Sequence, residues 1–154
     1  MTRYKVNLEY DGTDLIGWQE NHQGPSVQSV VKDAIEKFCG VRPDVVGAGR
    51  TDAGVHAVNM TAHFDLPDSA HDANTVMRAL NFYMAEKPVS VLNCEIVSDE
   101  FNARFSCSAR HYKYRVLNRN ASPVLEKNRV YWVPRSLDID AMRSAANKLL
   151  GNHD

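Results

Sequence analysis

Apolar residues recur along this chain at two different spacings, and each spacing is typical of one kind of secondary structure. The opening segment has apolar residues at every second position, as in a half-buried strand: Tyr4, Val6, Leu8 and Tyr10. Between Ser26 and Gly40 the apolar residues share one helical face instead: Val27, Val30, Val31, Ile35 and Phe38. A chain that mixes both spacings is expected to pack helices against a sheet.

The same mixture continues to the end of the chain. The pattern predicts a short strand at 45–46, a strand over 60–66, a helix that begins at Asp72 or Asn74, a strand over 89–96, a long strand from Phe105 to Leu117, a short strand over 131–133 and a helix from Asp138. Short connections between neighbouring strands favour antiparallel pairing. We therefore predict an α+β fold, an antiparallel sheet with its helices on one face and the other face open.

Composition limits the class of protein. The 154 residues are 44% hydrophobic, enough for one good core, and the net charge of −1 means that any nucleic-acid contact has to come from a local basic patch. The three cysteines are far apart in sequence and odd in number, which suits reduced thiols in the cytoplasm. Since no apolar stretch reaches membrane-spanning length, we expect a soluble cytoplasmic protein.

The segment from Gly47 to His56 is the most informative, because it presents Asp52 two residues after Arg50 among glycines. A dinucleotide fingerprint needs glycine where Asp52 stands, and a phosphate-binding Walker loop needs Gly-Lys-Ser/Thr, so neither fits. The common meaning of a loop aspartate is a cap on a turn. The alternative is a nucleophile, whose ionised form a nearby guanidinium favours. The spacing leaves open whether Arg50 is that partner or faces outward to RNA.

A second candidate is the stretch from Arg104 to Arg119, where two tyrosines are interleaved with five cations: Arg104, Arg110, Lys113, Arg115 and Arg119. Cations beside Tyr112 and Tyr114 suit contact with RNA phosphates and stacking on bases. A solvated strand face is the plainer interpretation of the same charges. Arg3, Lys5 and Lys127 would extend an RNA-binding patch.

Residues Gly49 to Ala57, GRTDAGVHA, resemble the catalytic signature of the TruA family of tRNA pseudouridine synthases. Further stretches resemble other motifs of that family: Tyr10 to Thr13, Gly17 to Gln19, Ser26 to Gln28, Phe101 to Ser106, Arg110 to Tyr114 and Leu149 to Asp154. The resemblance covers the whole chain and is therefore specific.

This resemblance implies isomerisation of uridine to pseudouridine in the tRNA anticodon stem-loop, at positions 38 to 40, without cofactor or metal. It makes Asp52 the nucleophile, places Arg50 beside the flipped base or the RNA backbone, and lets Tyr112 contact the target base. Arg104 and Arg110 join the substrate-binding residues. A homodimer that grips one tRNA is implied as well.

The resemblance also implies a fold of ferredoxin-like or RRM-like halves. Residues 1–105 would form the N-terminal catalytic subdomain and 106–154 the start of a second subdomain. Family members are longer than this chain, and their second half supplies an Arg or Lys that pairs with the catalytic aspartate. We therefore expect a truncated chain with a half-built cleft and little turnover by these residues alone.

Other interpretations remain open. The chain could be a non-catalytic RNA-binding module that uses the same sheet, or a magnesium-dependent phosphotransferase in which Asp52 is phosphorylated and Asp65 and Asp68 are the nearest further acids. His56 and His63 are wrongly spaced for neighbouring metal ligands on a helix, so we expect no metal site. The segment from Tyr10 to Gln19 is either a binding site or a turn that supports the Asp52 loop.

Overall fold

The fold is built around one central strand. The structure is a computed structural model that describes residues 1–67 and 71–153, in two units, Met1–Arg110 and His111–Asp154. The first unit contains, in order, β1 (Thr2–Tyr10), α1 (Val27–Cys39), β2 (Val46–Gly47), β3 (Ala57–Leu66), α2 (Ala73–Tyr83) and β4 (Val89–Val97). The strands form one antiparallel sheet in the order β2-β3-β1-β4. A βαββαβ chain with this strand order is the ferredoxin-like arrangement, so the predicted α+β class is confirmed.

One face of the sheet carries the hydrophobic core. Every second side chain of β1 is buried there, and Tyr4 and Val6 stand opposite Phe64 and Ala62 of β3. The buried residues of both helices belong to the same core: Val27, Val30, Val31, Ala34 and Ile35 of α1, and Val76 and Leu80 of α2. Both helices therefore cover the same sheet face, as the apolar periodicity predicts.

The ends of the two helices follow from single residues. Ser26 caps α1 by accepting a hydrogen bond from the Ser29 backbone N–H, while the Ser29 hydroxyl accepts from the backbone N–H of Ser26. Gly40 ends α1 in the left-handed conformation at φ 74°. Of the two caps predicted for α2, Asp72 is the one observed. Among the helices that the structure describes, none has the length and hydropathy needed to cross a membrane.

The opposite face of the sheet is polar, and the segment that follows β4 covers part of it. Arg3 donates two hydrogen bonds to the Asp65 carboxylate, both at 2.7 Å, and further bonds to the carbonyls of Asp99 and Phe101. Lys5 pairs with Glu95 at 2.7 Å and lies 5.6 Å from the centroid of the Phe101 ring. Two corrections follow. This face is not wholly open, and Arg3 and Lys5 are bound within the fold instead of extending a basic patch.

The second unit contains two short parallel strands and a helix. β5 (Val116–Asn118) pairs with β6 (Tyr131–Val133), and α3 (Ile139–Asn147) begins after its cap Asp138. The predicted long strand from Phe105 to Leu117 is therefore wrong except at its last two residues.

A turn at the start of that stretch gives the physical reason. The side-chain oxygen of Asn102 accepts hydrogen bonds from the backbone N–H groups of Arg104 and Phe105, and the Ser106 N–H donates to the Asn102 carbonyl at 2.7 Å. Polar side chains that bond to nearby backbone groups compete in this way with strand pairing.

Stability should depend on pH through His63, a buried residue of β3 whose Nδ1 accepts from the Ala103 N–H at 3.1 Å. Burial lowers the pKa of His63 below its usual 6.5, and the positive charge of Arg3 lowers it further. The unfolded chain then takes up a proton at a higher pH than the folded chain. The free energy of unfolding should therefore fall as the pH is lowered from about 7 to about 5.

The variant His63→Gln retains an acceptor for the Ala103 N–H and does not titrate, so urea unfolding at several pH values should show a weaker pH dependence for it. Arg3 lowers the pKa of Asp65 below its usual 3.8, so the contribution of Asp65 changes only at lower pH than this range. Equal slopes for the wild type and the variant would contradict the assignment to His63.

Candidate active site

Asp52 lies at the exposed tip of the loop that joins β2 to β3. The loop starts at Gly47, where β2 ends, and returns to the sheet at Ala57, where β3 begins. The Val55 N–H donates to the Asp52 carbonyl at 3.2 Å, which closes a turn around the tip. Within residues 1–67 and 71–153, the side chains of Asp52 and Arg50 make no hydrogen bond or ion pair. Both are exposed, and the ion pair considered from the sequence is not formed.

The residue before Asp52 is fixed from two directions by the segment Tyr10–Trp18. The Trp18 N–H donates to the Thr51 carbonyl at 2.9 Å. The hydroxyl of buried Tyr10 lies 2.9 Å from Oγ1 of Thr51. Thr51 is therefore held through both its backbone and its side chain, which limits the positions that the next residue, Asp52, can take.

The far side of the loop is bound to the same segment. The Gly54 N–H donates to the Leu15 carbonyl at 3.3 Å. Nδ1 of His56 lies 3.1 Å from the Gly12 N–H and 3.1 Å from a carboxylate oxygen of Asp11. Tyr10, Asp11 and Trp18 thus support the loop, which confirms that interpretation of the segment. Gln19 does not, because its amide donates to Gln28 at 2.8 Å.

Two glycines allow the segment and the loop to come this close. A Cβ atom at Gly17, where φ is 106°, would lie 2.5 Å from the Thr51 carbonyl oxygen and 3.0 Å from the Asp52 carbonyl carbon. A Cβ atom at Gly12 would lie 2.2 Å from the Val55 oxygen. No side chain fits at either position without moving the backbone that carries Asp52.

Arg110 holds the start of the loop. Its Nε and Nη2 atoms donate to the Ala48 carbonyl at 2.9 and 2.5 Å, and Nη2 also donates to the Arg104 carbonyl at 3.2 Å. The Arg104 guanidinium is exposed and lies 5.7 Å from the centroid of the Phe105 ring. Of the predicted substrate-binding cations in this unit, Arg110 is thus partly committed to the loop, whereas Arg50 and Arg104 extend into solvent.

Tyr112 belongs to the second unit, where its side chain is 70% exposed. Two of the cations predicted to surround it are used inside that unit. Arg115 pairs with Glu126 at 2.5 Å, and Arg119 donates to the carbonyls of Ala121 and Ser122. The basic patch expected from the sequence is therefore smaller than the number of its cations suggests.

The magnesium site considered from the sequence had Asp65 and Asp68 as its nearest further acids. Asp65 binds Arg3 through both oxygens, and Asp68 lies outside the described residues. Within the described ranges, no group of three or more His, Cys, Asp or Glu side chains is placed to hold a metal ion.

One residue that the sequence did not single out as functional is Gln28 on α1, which is only 8% exposed. It lies three and seven positions before the buried residues Val31 and Ile35, so it shares their helical face. This helical spacing is the feature of the sequence that could have identified Gln28 as a buried polar residue. A polar side chain on an apolar face requires internal hydrogen-bond partners.

A comparison of Gly17 with Gly54 tests the close approach between the segment Tyr10–Trp18 and the loop. Both have positive φ, but a Cβ atom at Gly54 would meet nothing within 4 Å. Gly54→Ala should cost only the backbone strain, about 1–2 kcal/mol. Gly17→Ala adds a steric clash and should cost about 1–3 kcal/mol more. Urea unfolding measures both, and equal losses would show that the loop does not press against Gly17.

Curated relatives match the chain from end to end. It is 49% identical to the tRNA pseudouridine synthase A of Paramagnetospirillum magneticum and 46% identical to that of Rhodospirillum rubrum, and it covers 60% and 55% of those proteins. The corresponding protein of Bradyrhizobium sp. is 49% identical over 159 aligned residues, and 62% of it is covered. No protein-family profile matches the chain.

The chain spans about three fifths of the length of these relatives, and the match includes every one of its own residues. The loop with Asp52 and the segment that supports it both lie inside the matched region. In sequence, the chain is similar over its whole length to proteins named tRNA pseudouridine synthase A.

Proposed function

We propose that this chain carries the catalytic aspartate of a cytoplasmic tRNA pseudouridine synthase that acts on the anticodon stem-loop at positions 38 to 40. The main support is the exposed Asp52 carboxylate on a loop that the segment Tyr10–Trp18 fixes on both sides. The names of the relatives, tRNA pseudouridine synthase A, point to the same reaction.

In this isomerisation the bond between N1 of uracil and C1′ of ribose breaks, and a bond between C5 and C1′ forms. C5 loses a proton and N1 gains one, so the base and its sugar keep their overall composition. The reaction needs no oxidant and no group donor. We propose that Asp52 acts as the nucleophile and forms a temporary covalent bond to the nucleotide while the detached base turns; this bond breaks once C5 is joined to C1′, which returns the free carboxylate. A nucleophile held in position beforehand lowers the entropic part of the barrier.

A uridine in a stem has to be extruded before a carboxylate can reach it, which costs a few kcal/mol. We propose that Tyr112 offsets this cost by stacking on the target base, a contact worth about 1–3 kcal/mol. The exposed guanidinium groups of Arg50 and Arg104 are suited to phosphate contact. Arg110 contributes through the Ala48 carbonyl, because it holds the loop that presents Asp52.

The polar face of the sheet is a weaker candidate for a non-catalytic RNA-binding site. RRM domains stack bases on aromatic side chains of their sheet. Of the side chains that β1 and β3 place on the polar face, both strands being described in full, the only ring is that of buried His63, and the Phe101 ring packs against it with the two centroids 6.0 Å apart. The neighbours of His63 on the two strands are polar: Arg3, Lys5 and Asn7 on β1, and Asn59, Thr61 and Asp65 on β3. The cations of this face are already paired.

We further propose that turnover requires more of the relatives' length than this chain matches. Within the described residues no cation pairs with the Asp52 carboxylate, and a nucleophile in a closed site is expected to have one. The proposed enzyme uses neither metal nor cofactor, binds tRNA and acts as a homodimer.

Replacing the nucleophile separates catalysis from binding. In a full-length protein that carries this chain, Asp52→Asn should abolish release of tritium from C5-labelled uridine in tRNA and leave the Kd for tRNA nearly unchanged, because shape and position are kept. Glu86→Gln removes one exposed negative charge between α2 and β4 and is the control, with unchanged release expected. Release by Asp52→Asn at the wild-type rate would exclude the proposed mechanism.

Two neighbouring tyrosines test the stacking contact. Tyr112→Ala should lower kcat/KM about 5- to 150-fold, as the loss of about 1–3 kcal/mol of stacking implies. Tyr114 is 95% exposed and two residues away, so Tyr114→Ala should change kcat/KM much less. Steady-state kinetics on an anticodon stem-loop RNA provide the measurement. Equal losses for both variants would mean that Tyr112 acts only as part of a general binding surface.

A further inference from the structure

The Gln28 carboxamide makes three hydrogen bonds, which bind α1 to two other segments of the chain. Nε2 donates to the Val45 carbonyl at 2.8 Å. Oε1 accepts from the Glu20 N–H at 2.9 Å and from the side-chain amide of Gln19 at 2.8 Å. The side chain is thus satisfied inside the fold, where an unpaired amide would be costly.

Both segments lead to the Asp52 loop. Val45 directly precedes β2, whose last residue, Gly47, starts the loop. Gln19 and Glu20 directly follow Trp18, whose N–H donates to Thr51. The Gln28 backbone N–H also donates to the Trp18 carbonyl at 3.0 Å, so backbone and side chain of one residue hold the same segment.

The Trp18 indole connects the two segments. A Cβ atom at Gly47 would lie 2.5 Å from Cζ2 of Trp18, so the ring lies directly against the start of the loop. A shift of Trp18 would therefore move the loop both at Gly47 and at Thr51. Gln28 limits that shift because it holds Trp18 on one side and Val45 on the other.

We propose that Gln28 is a positioning residue, which sets the place of Asp52 by holding Trp18 and Val45 together; this inference rests on the proposed function. Glutamine fits the position because one group has to donate to a carbonyl and accept from two N–H groups at once. An ionised glutamate cannot donate, and a leucine of similar size can do neither.

Asn81 provides a matched control, since it joins a helix to a strand in the same way but away from the loop. Its Nδ2 donates to the Val91 carbonyl at 2.9 Å and its Oδ1 accepts from the Val91 N–H at 2.8 Å. Asn81→Leu therefore removes an amide bridge of the same kind. Any effect of Gln28→Leu beyond that of Asn81→Leu reports on the loop and not on general stability.

The test uses a full-length protein that carries this chain, at a temperature where all variants are folded. Hydrogen exchange at the Trp18 amide should be about tenfold or more faster in Gln28→Leu than in the wild type or Asn81→Leu, because loosening of the loop exposes this amide. In tritium release, kcat should fall about ten- to hundredfold and KM for tRNA should change less than about threefold. Equal exchange and equal kcat in the two leucine variants would overturn the proposal.

Gln28→Glu keeps the test decisive if the leucine variant does not fold. Its protonated carboxyl can donate to the Val45 carbonyl again, so kcat relative to wild type should rise as the pH is lowered, and a ratio independent of pH would count against the proposal. An inactive wild type, or an active Asp52→Asn variant, would instead overturn the proposed function. In that case, hydrogen exchange at the Trp18 amide would still show whether Gln28 holds the segment that contains Trp18.

Discussion

The hydrogen bond from the Trp18 N–H to the Thr51 carbonyl is the contact on which the site depends. It joins two backbones, so it forms only where the two segments approach each other closely, and the absence of a side chain at Gly17 allows that approach. Helix α1 supplies the fixed side of this contact, because the N–H groups of Val27 and Gln28 donate to the carbonyls of Gly17 and Trp18. The first turn of a helix has N–H groups without helical partners. Here some of them bind the segment that supports Asp52.

The two faces of the sheet serve different purposes. The apolar face packs against α1 and α2 and gives the first unit its core. The polar face is held by ion pairs, in which Arg3 fastens the Phe101 backbone to β3 through Asp65. Side chains of opposite charge on neighbouring strands contribute modestly to stability. Through its bonds to the Asp99 and Phe101 carbonyls, Arg3 also fixes the course of the chain after β4, which leads to Arg110 and so to the Ala48 carbonyl of the loop.

Much of the first unit could be predicted because its local signals agree with one another. The alternation in β1, the Ser26 and Gly40 ends of α1 and the Asp72 cap of α2 each follow from short-range physics and appear as expected. The stretch after Phe101 was not predictable in this way, since its charged and aromatic residues fit a strand as well as they fit an irregular segment. Instead, the stretch begins with a turn, because the side chain of Asn102 accepts hydrogen bonds from nearby backbone N–H groups.

The candidate site likewise has a part that local sequence signals predict and a part that they do not. Asp52 and the supporting segment could be identified from their motifs, whereas the contacts that position them could not. The role of Gln28 depends on partners at Glu20 and Val45, and the engagement of Arg3 depends on its alignment with Asp65 across two strands. Such pairings join residues far apart in the chain, and a single sequence carries no direct signal of them.

The tight fit at Gly12 and Gly17 has a consequence for how proteins of this kind can change in length. The segment from Tyr10 to Trp18 contacts the loop at Thr51, Gly54 and His56, so the spacing of residues in one stretch is matched to that in the other. An insertion in either stretch would shift some of these contacting residues away from their partners. Such surface loops usually tolerate insertions well, but here a gain or loss of residues in one stretch would have to be accompanied by a compensating change in the other.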